Sequence, residues 1–150
     1  MNIQKVWALL EDQKLAVLCT QGEQGPYCSL MAYVTDHETA SLFMVTEIQS
    51  VKYQNLRKRP EVSLLVDNRD SSHVRESPTI TALTVQGVAQ KMDQSADKEI
   101  RIRLGHRFPE IQPLLKKPQS VVIQILLRDY LLLAGPEQAV SGSFGKRDGS

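Results

Sequence analysis

The chain has 150 residues, 18 basic and 17 acidic, for a formal net charge of +1. That length holds one domain with a substantial core, residues 1–150, yet is short for an enzyme that carries its whole active site alone, so a site shared between subunits is expected. The charge balance excludes the basic excess of a dedicated nucleic-acid surface, and no apolar run approaches the ~20 residues needed to span a bilayer.

The first residues, MNIQKVWALLEDQK, lack the basic start and long apolar stretch of a leader, so a soluble cytoplasmic protein is expected. Ile3, Val6, Trp7 and Leu10 recur at helical spacing and predict a short amphipathic helix laid against an apolar surface. Leu15–Thr20 (LAVLCT) and Tyr27–Val34 (YCSLMAYV) read as two strands joined by the turn formers QGEQGP. Their cysteines, Cys19 and Cys28, are not in a metal-type spacing and read as buried or half-buried thiols. Ser41–Thr46 (SLFMVT) predicts a third strand, and the first three are expected to form an antiparallel meander.

Ser50–Arg59 has helix character: Tyr53 and Leu56 can face inward, Arg57, Lys58 and Arg59 suit the C-terminal end of the macrodipole, and Pro60 stops the helix. Glu61–Asp67 is a fourth strand, followed by the polar loop NRDSSHVRESP. Thr79–Met92 alternates as a fifth strand, with Gly87 marking a bulge or the close approach of another backbone. Ser95 is placed to cap a helix through Arg107 whose Ile100, Leu104 and Phe108 share a face, and Ser120–Ala134 is a last long strand. The tail SGSFGKRDGS is expected to be poorly ordered unless a partner subunit pins it. Six strands with two or three interspersed helices predict a mainly β (α+β) protein, a six-stranded antiparallel barrel with peripheral helices.

Common nucleotide-binding, zinc-protease and serine-hydrolase motifs are absent: the sequence has no GxGxxG after a strand, GxxxxGK[ST], HExxH or GxSxG. His37, His73 and His106 are scattered over a turn, a loop and a helix end and receive no role. The remaining chemistry is at Ser50 and Lys52. Free N–H groups at a helix start, a hydroxyl and an ammonium together attract an anion, while the same residues also describe an ordinary N-cap with a lysine in solvent.

A wider pattern surrounds that pair. A strand ending in Thr46, then S-x-K-x-x-N-L over Ser50, Lys52, Asn55 and Leu56, then PEVSLLVD from Pro60 to Asp67, resembles the pyridoxamine 5′-phosphate oxidase-related family of FMN-binding split barrels. LAVLCTQGEQGPYCSLMAYV and TALTVQGVAQ match the same family pattern, so the resemblance covers residues 1–135. It implies FMN at a homodimer interface. Ser50 and Lys52 would hold the phosphate, and Thr46 would contact the ribityl chain or ring edge. Ser29, Leu30, Met31 and Ala32 would run along the isoalloxazine through backbone groups, with simple core as the alternative for Leu30 and Met31. Asn68 and Arg69 are candidates for phosphate or cross-subunit contacts, and Thr84 and Gln86 for contacts from the other subunit.

The sequence departs from the family pattern at Val51, where many relatives carry a basic residue, which removes one phosphate partner. Arg128 is present without the following histidine that would be expected for pyridoxal phosphate, so that reaction is not predicted. The resemblance leaves three readings: a flavin-dependent oxidoreductase on a small substrate, a non-catalytic binder of FMN, haem or a deazaflavin, and a barrel without a cofactor.

Overall fold

A computed structural model describes residues 2–69 and 79–145. The polar loop with His73 and the end of the tail lie outside the described residues. Chain order is α1 (Asn2–Asp12), β1 (Leu15–Gly22), β2 (Gly25–Ala32), β3 (Val34–Asp36), β4 (Ser41–Glu47), α2 (Val51–Lys58), β5 (Glu61–Asp67) and β6 (Thr81–Lys91), followed by α3 (Lys98–Arg107), a 3₁₀ turn (Pro109–Ile111), α4 (Gln112–Leu115), β7 (Ser120–Ala134) and β8 (Ala139–Ser143). No described helix is long and apolar enough to cross a membrane.

All neighbouring strands pair antiparallel, in the order β2-β1-β5-β6-β7-β4-β3, and β8 adds to β7. The two ends of this order are one stretch of chain, because only Tyr33 separates β2 from β3. The expected second strand therefore bends: its first part pairs with β1 and its end pairs with β4. That bend curls the sheet into the split barrel, and it corrects the expected meander, since β4 takes β7 rather than the length of β2 as its main partner. The strand count rises from six to eight through the split at Tyr33 and through β8, which occupies a tail expected to be poorly ordered.

Inside the barrel, Leu18, Leu42, Met44, Leu64, Leu83, Ile123 and Ile125 are fully buried, each contributing about 1.5–3 kcal/mol of burial free energy. The predicted apolar stripe of α1 closes one end, with Val6 and Leu10 buried and Ile3 and Trp7 packed against the same core. Buried Tyr33 donates its hydroxyl to the Leu10 carbonyl at 2.6 Å, and this desolvated phenol titrates well above its ordinary range. The last turn of α1 has no basic residue of its own; Arg107 of α3 donates to the Glu11 and Gln13 carbonyls at 3.1 and 2.7 Å instead.

A second apolar cluster forms where α3 covers the outer side of β3, β4 and β7, through Ile100, Leu104 and Phe108 against Val34, Phe43, Val45 and Val122. With both faces covered, Ser41–Thr46 is buried at every residue, which accounts for its continuous apolar run. Helix α3 begins after Asp97, two residues beyond the expected Ser95 cap, and Asp97 turns its carboxylate to Arg101 at 3.0 Å. Arg101 also donates to Ser120 Oγ at 2.7 Å and to the Ser120 carbonyl at 3.0 Å, fastening α3 to the start of β7.

Gly87 sits where the β6–β7 register shifts, and a Cβ there would meet the Leu126 carbonyl oxygen at 2.7 Å; bulge and close approach coincide as expected. In the tail, a Cβ on Gly142 would lie 2.5 Å from the Tyr130 hydroxyl. Phe144 meets Tyr130 and Trp7 edge to face, each with centroids 5.5 Å apart, and the other side of Trp7 stacks on His37 at 4.0 Å. The two ends of the described chain thus pack against each other.

Candidate functional site

The site is built where β4 hands the chain to α2. Thr46, the last buried residue of β4, shares a hydroxyl hydrogen bond with Ser50 at 3.0 Å. Ser50 adopts extended backbone and caps α2, accepting from the Tyr53 amide at 3.2 Å. Tyr53 and Leu56 are buried as predicted and fix the helix on the core. Asn55 donates to Thr20 Oγ1 at 3.1 Å, tying α2 to β1.

Two residues past the cap, Lys52 is half-buried, and among the described residues its amine makes no ion pair or side-chain hydrogen bond. Desolvation pulls its pKa below the ordinary lysine value. A partly dehydrated cation in the first turn of a helix capped by a hydroxyl has the chemistry of an anion site. Val51 is 55% exposed and lines a cleft of about 650 Å³ between the β1–β2 turn and α2, together with Tyr27, Gln54, Asn55, Lys58 and Arg59. Sequence reasoning placed Val51 and Asn55 in the family pattern and Lys58 and Arg59 only at the helix end.

The other predicted residues divide by face. Met31 is in the core, leaving a ligand only its backbone, whereas Leu30 is 66% exposed and is not core. Ser29 and Ala32 are half-buried between them. Asn68 is engaged locally, its side-chain oxygen accepting from the Thr81 amide at 2.9 Å, and Arg69 pairs with Asp67 at 3.2 Å. Thr84 and Gln86 are on β6, with Gln86 accepting from Ser63 at 2.9 Å.

The register shows what Thr84 and Gln86 face. Leu30, Val17, Leu65, Thr84 and Leu131 stand opposite one another across five strands, and therefore on one face of the sheet. The next row is Cys28, Cys19, Ser63, Gln86 and Asp129. No described helix is packed over these rows, and Leu15, Leu30, Leu65, Leu131 and Leu133 are all exposed there. The sequence reading missed this uncovered face. Its signal was LAVLCT, a strand with few polar positions on either side.

A sequence model of the pyridoxamine 5′-phosphate oxidase family matches residues 3–126. The chain belongs to this family. Solved structures similar to this pyridoxamine 5′-phosphate oxidase family member agree on the fold. A Clostridium acetobutylicum protein related to general stress protein 26 of B. subtilis, of the pyridoxinephosphate oxidase family, superposes with a TM-score of 0.72 at 17% identity, covering 94% of this chain and 93% of that one. An FAD-binding protein from Mesorhizobium loti gives 0.68 at 17% identity, covering 94% and 92%. HutZ, a haem storage protein from Vibrio cholerae, gives 0.66 at 19% identity, covering 93% and 94%. No curated protein matches the sequence.

Proposed function

We propose that this family member binds FMN at the interface of a homodimer and acts as a flavin-dependent oxidoreductase on a small substrate. The observation that carries the reading is Lys52: a half-buried ammonium without an ion-pair partner among the described residues, in the first turn of the helix that the hydrogen-bonded Thr46 and Ser50 hydroxyls lead into, fits the terminal phosphate of a flavin nucleotide. Bound flavin supplies the electron transfer itself. The chain's part is to hold the phosphate at Ser50 and Lys52, to seat the ring along the Ser29–Ala32 backbone, and to exclude water by pairing with a second copy.

The uncovered apolar rows support that pairing, because exposed leucines gathered on one sheet face mark an association surface. Thr84 and Gln86 belong to the same rows, which suits contacts made to the partner's flavin. Val51 in place of a basic residue makes the grip on phosphate weaker than a second cation would. Haem would require an axial ligand. His37 is occupied by Trp7 and Glu11, and His106 lines a different groove on α3, so neither favours the haem reading.

The test is an absorption spectrum of the purified protein before and after adding FMN and removing the excess. Retention of about one FMN per chain is expected, and Lys52→Ala weakens the binding by about 1.5–3 kcal/mol, the range for a hydrogen bond to a charged group. An unchanged Kd in that variant moves the phosphate elsewhere. A haem spectrum with no flavin uptake replaces the reading, and flavin that never passes electrons faster than free FMN makes the protein a binder.

A further inference from the structure

Cys19 and Cys28 stand directly opposite on β1 and β2, with sulfurs 3.3 Å apart; half-buried Cys19 fits the expectation of buried or half-buried thiols, and exposed Cys28 does not. The geometry of the pair follows from the hairpin. Pro26 is opposite Gln21, and since proline has no N–H to donate, that pair does not exchange backbone hydrogen bonds. Two residues along, Cys19 and Cys28 occupy the same kind of pair, where opposed Cα atoms are about 4.5 Å apart, within the ~4.4–6.8 Å that a disulfide bridges. A small cavity of about 190 Å³ opens beside Cys19, lined also by Gln21, Pro26, Ser63 and Gln86. Beyond the two sulfurs, their row across the sheet is polar, through Ser63, Gln86 and Asp129, so the pair borders the apolar face rather than sitting at its centre.

We propose that Cys19 and Cys28 form a reversible dithiol–disulfide site that exchanges with low-molecular-weight disulfides. The exposed Cys28 sulfur, as thiolate, attacks one sulfur of the disulfide; that S–S bond breaks and the first thiolate leaves, taking up the proton Cys28 released. Cys19 then gives its proton to solvent and attacks Cys28 Sγ, and the second thiolate leaves and is protonated. Two protein thiols are oxidised by two electrons, and one small disulfide is reduced to two thiols. The order follows from the surroundings: burial first, then the hydrogen bond and charge of Cys28, push the Cys19 thiol up to about 11. Capping Cys28 in the mixed disulfide removes its charge and frees Cys19 to resolve it. An exposed disulfide of this kind is of the readily reduced class. The chemistry uses no flavin, but Gln86 of the same row and cavity is proposed to meet the partner's flavin, so the exchange is read on flavin-free protein.

The test treats reduced protein with bis(2-hydroxyethyl) disulfide, alkylates it and measures intact and peptide masses. The expected product is a chain lighter by the two thiol hydrogens, with Cys19 joined to Cys28 and the bond reversed by dithiothreitol. Cys19→Ser is expected to stop at a persistent adduct on Cys28, and Cys28→Ser to react at least about tenfold more slowly than wild type, each with an unchanged far-ultraviolet spectrum. No reaction of the wild type, a stable adduct on its Cys28, or cross-links between chains would each overturn the proposal.

Discussion

Lys52 shows how a single side chain can cost stability in the empty protein and return it on binding. Its burial disfavours the charged amine, so its folded-state pKa lies below the ordinary 10.5. Below both values the cost of burying the charge is fully present; between them the unfolded chain binds more protons, so stability rises with pH; above 10.5 the cost is gone. Lys52→Met is therefore expected to be more stable than the wild type at neutral pH without ligand, with the gap closing as pH rises toward 10.5, as measured by denaturant unfolding at stepped pH. A gap that stays constant would show that the amine is solvated in the folded state. The pair Ser50 and Lys52 was legible because a helix cap is written within four residues. The meeting of Cys19 with Cys28 was not, although both lie in strands read correctly: opposition depends on which residues flank the turn, and QGEQGP allows more than one register until Gly22 is set against Gly25.

Among the elements, α3 is tied to distant parts of the chain, by Arg107 to the Glu11 and Gln13 carbonyls and by Arg101 to Ser120. The Asp97–Arg101 pair is local, at i and i+4, while the Arg101 bonds reach Ser120, 19 positions along the chain, and Asp97 is only 4% exposed. Arg101→Met would leave that carboxylate buried without its cation, at a cost of about 3 kcal/mol, near the low end for breaking a buried pair because Arg101 is itself partly exposed. A shift of less than 1 kcal/mol in chemical denaturation, on the order of a surface pair, would refute this. The strands and the apolar faces of α1, α2 and α3 were readable from periodicity. The misplaced start of α3 shows the limit: Ser95 and Asp97 both have capping chemistry, and the choice was made by Ser120, distant in sequence and invisible to local pattern. The bend at Tyr33 escaped for a related reason, since YCSLMAYV reads as one strand and only the competing partners β1 and β4 divide it.

For the whole molecule, the barrel presents two unlike outer surfaces: α3 and the second apolar cluster cover β3, β4 and part of β7, while no helix among the described residues covers the face carrying Leu30, Val17, Leu65 and Leu131. Leu65 is near the middle of that row, and Leu65→Arg is expected to convert a dimer to monomer in sedimentation velocity without loss of the fold, since the side chain is already 37% exposed. A wild-type monomer at high concentration would remove the homodimer from the proposal. Such a face is hard to see in sequence because each strand contributes one or two residues, and the row exists only once five strands are in register.

Trp7 is the only tryptophan in the chain, and it is held between His37 and Phe144. Its emission is therefore a built-in optical gauge of whether the first helix and the last strand are docked. Anyone following ligand binding by intrinsic fluorescence will be watching the seam where the two ends of the chain meet, and not the phosphate site.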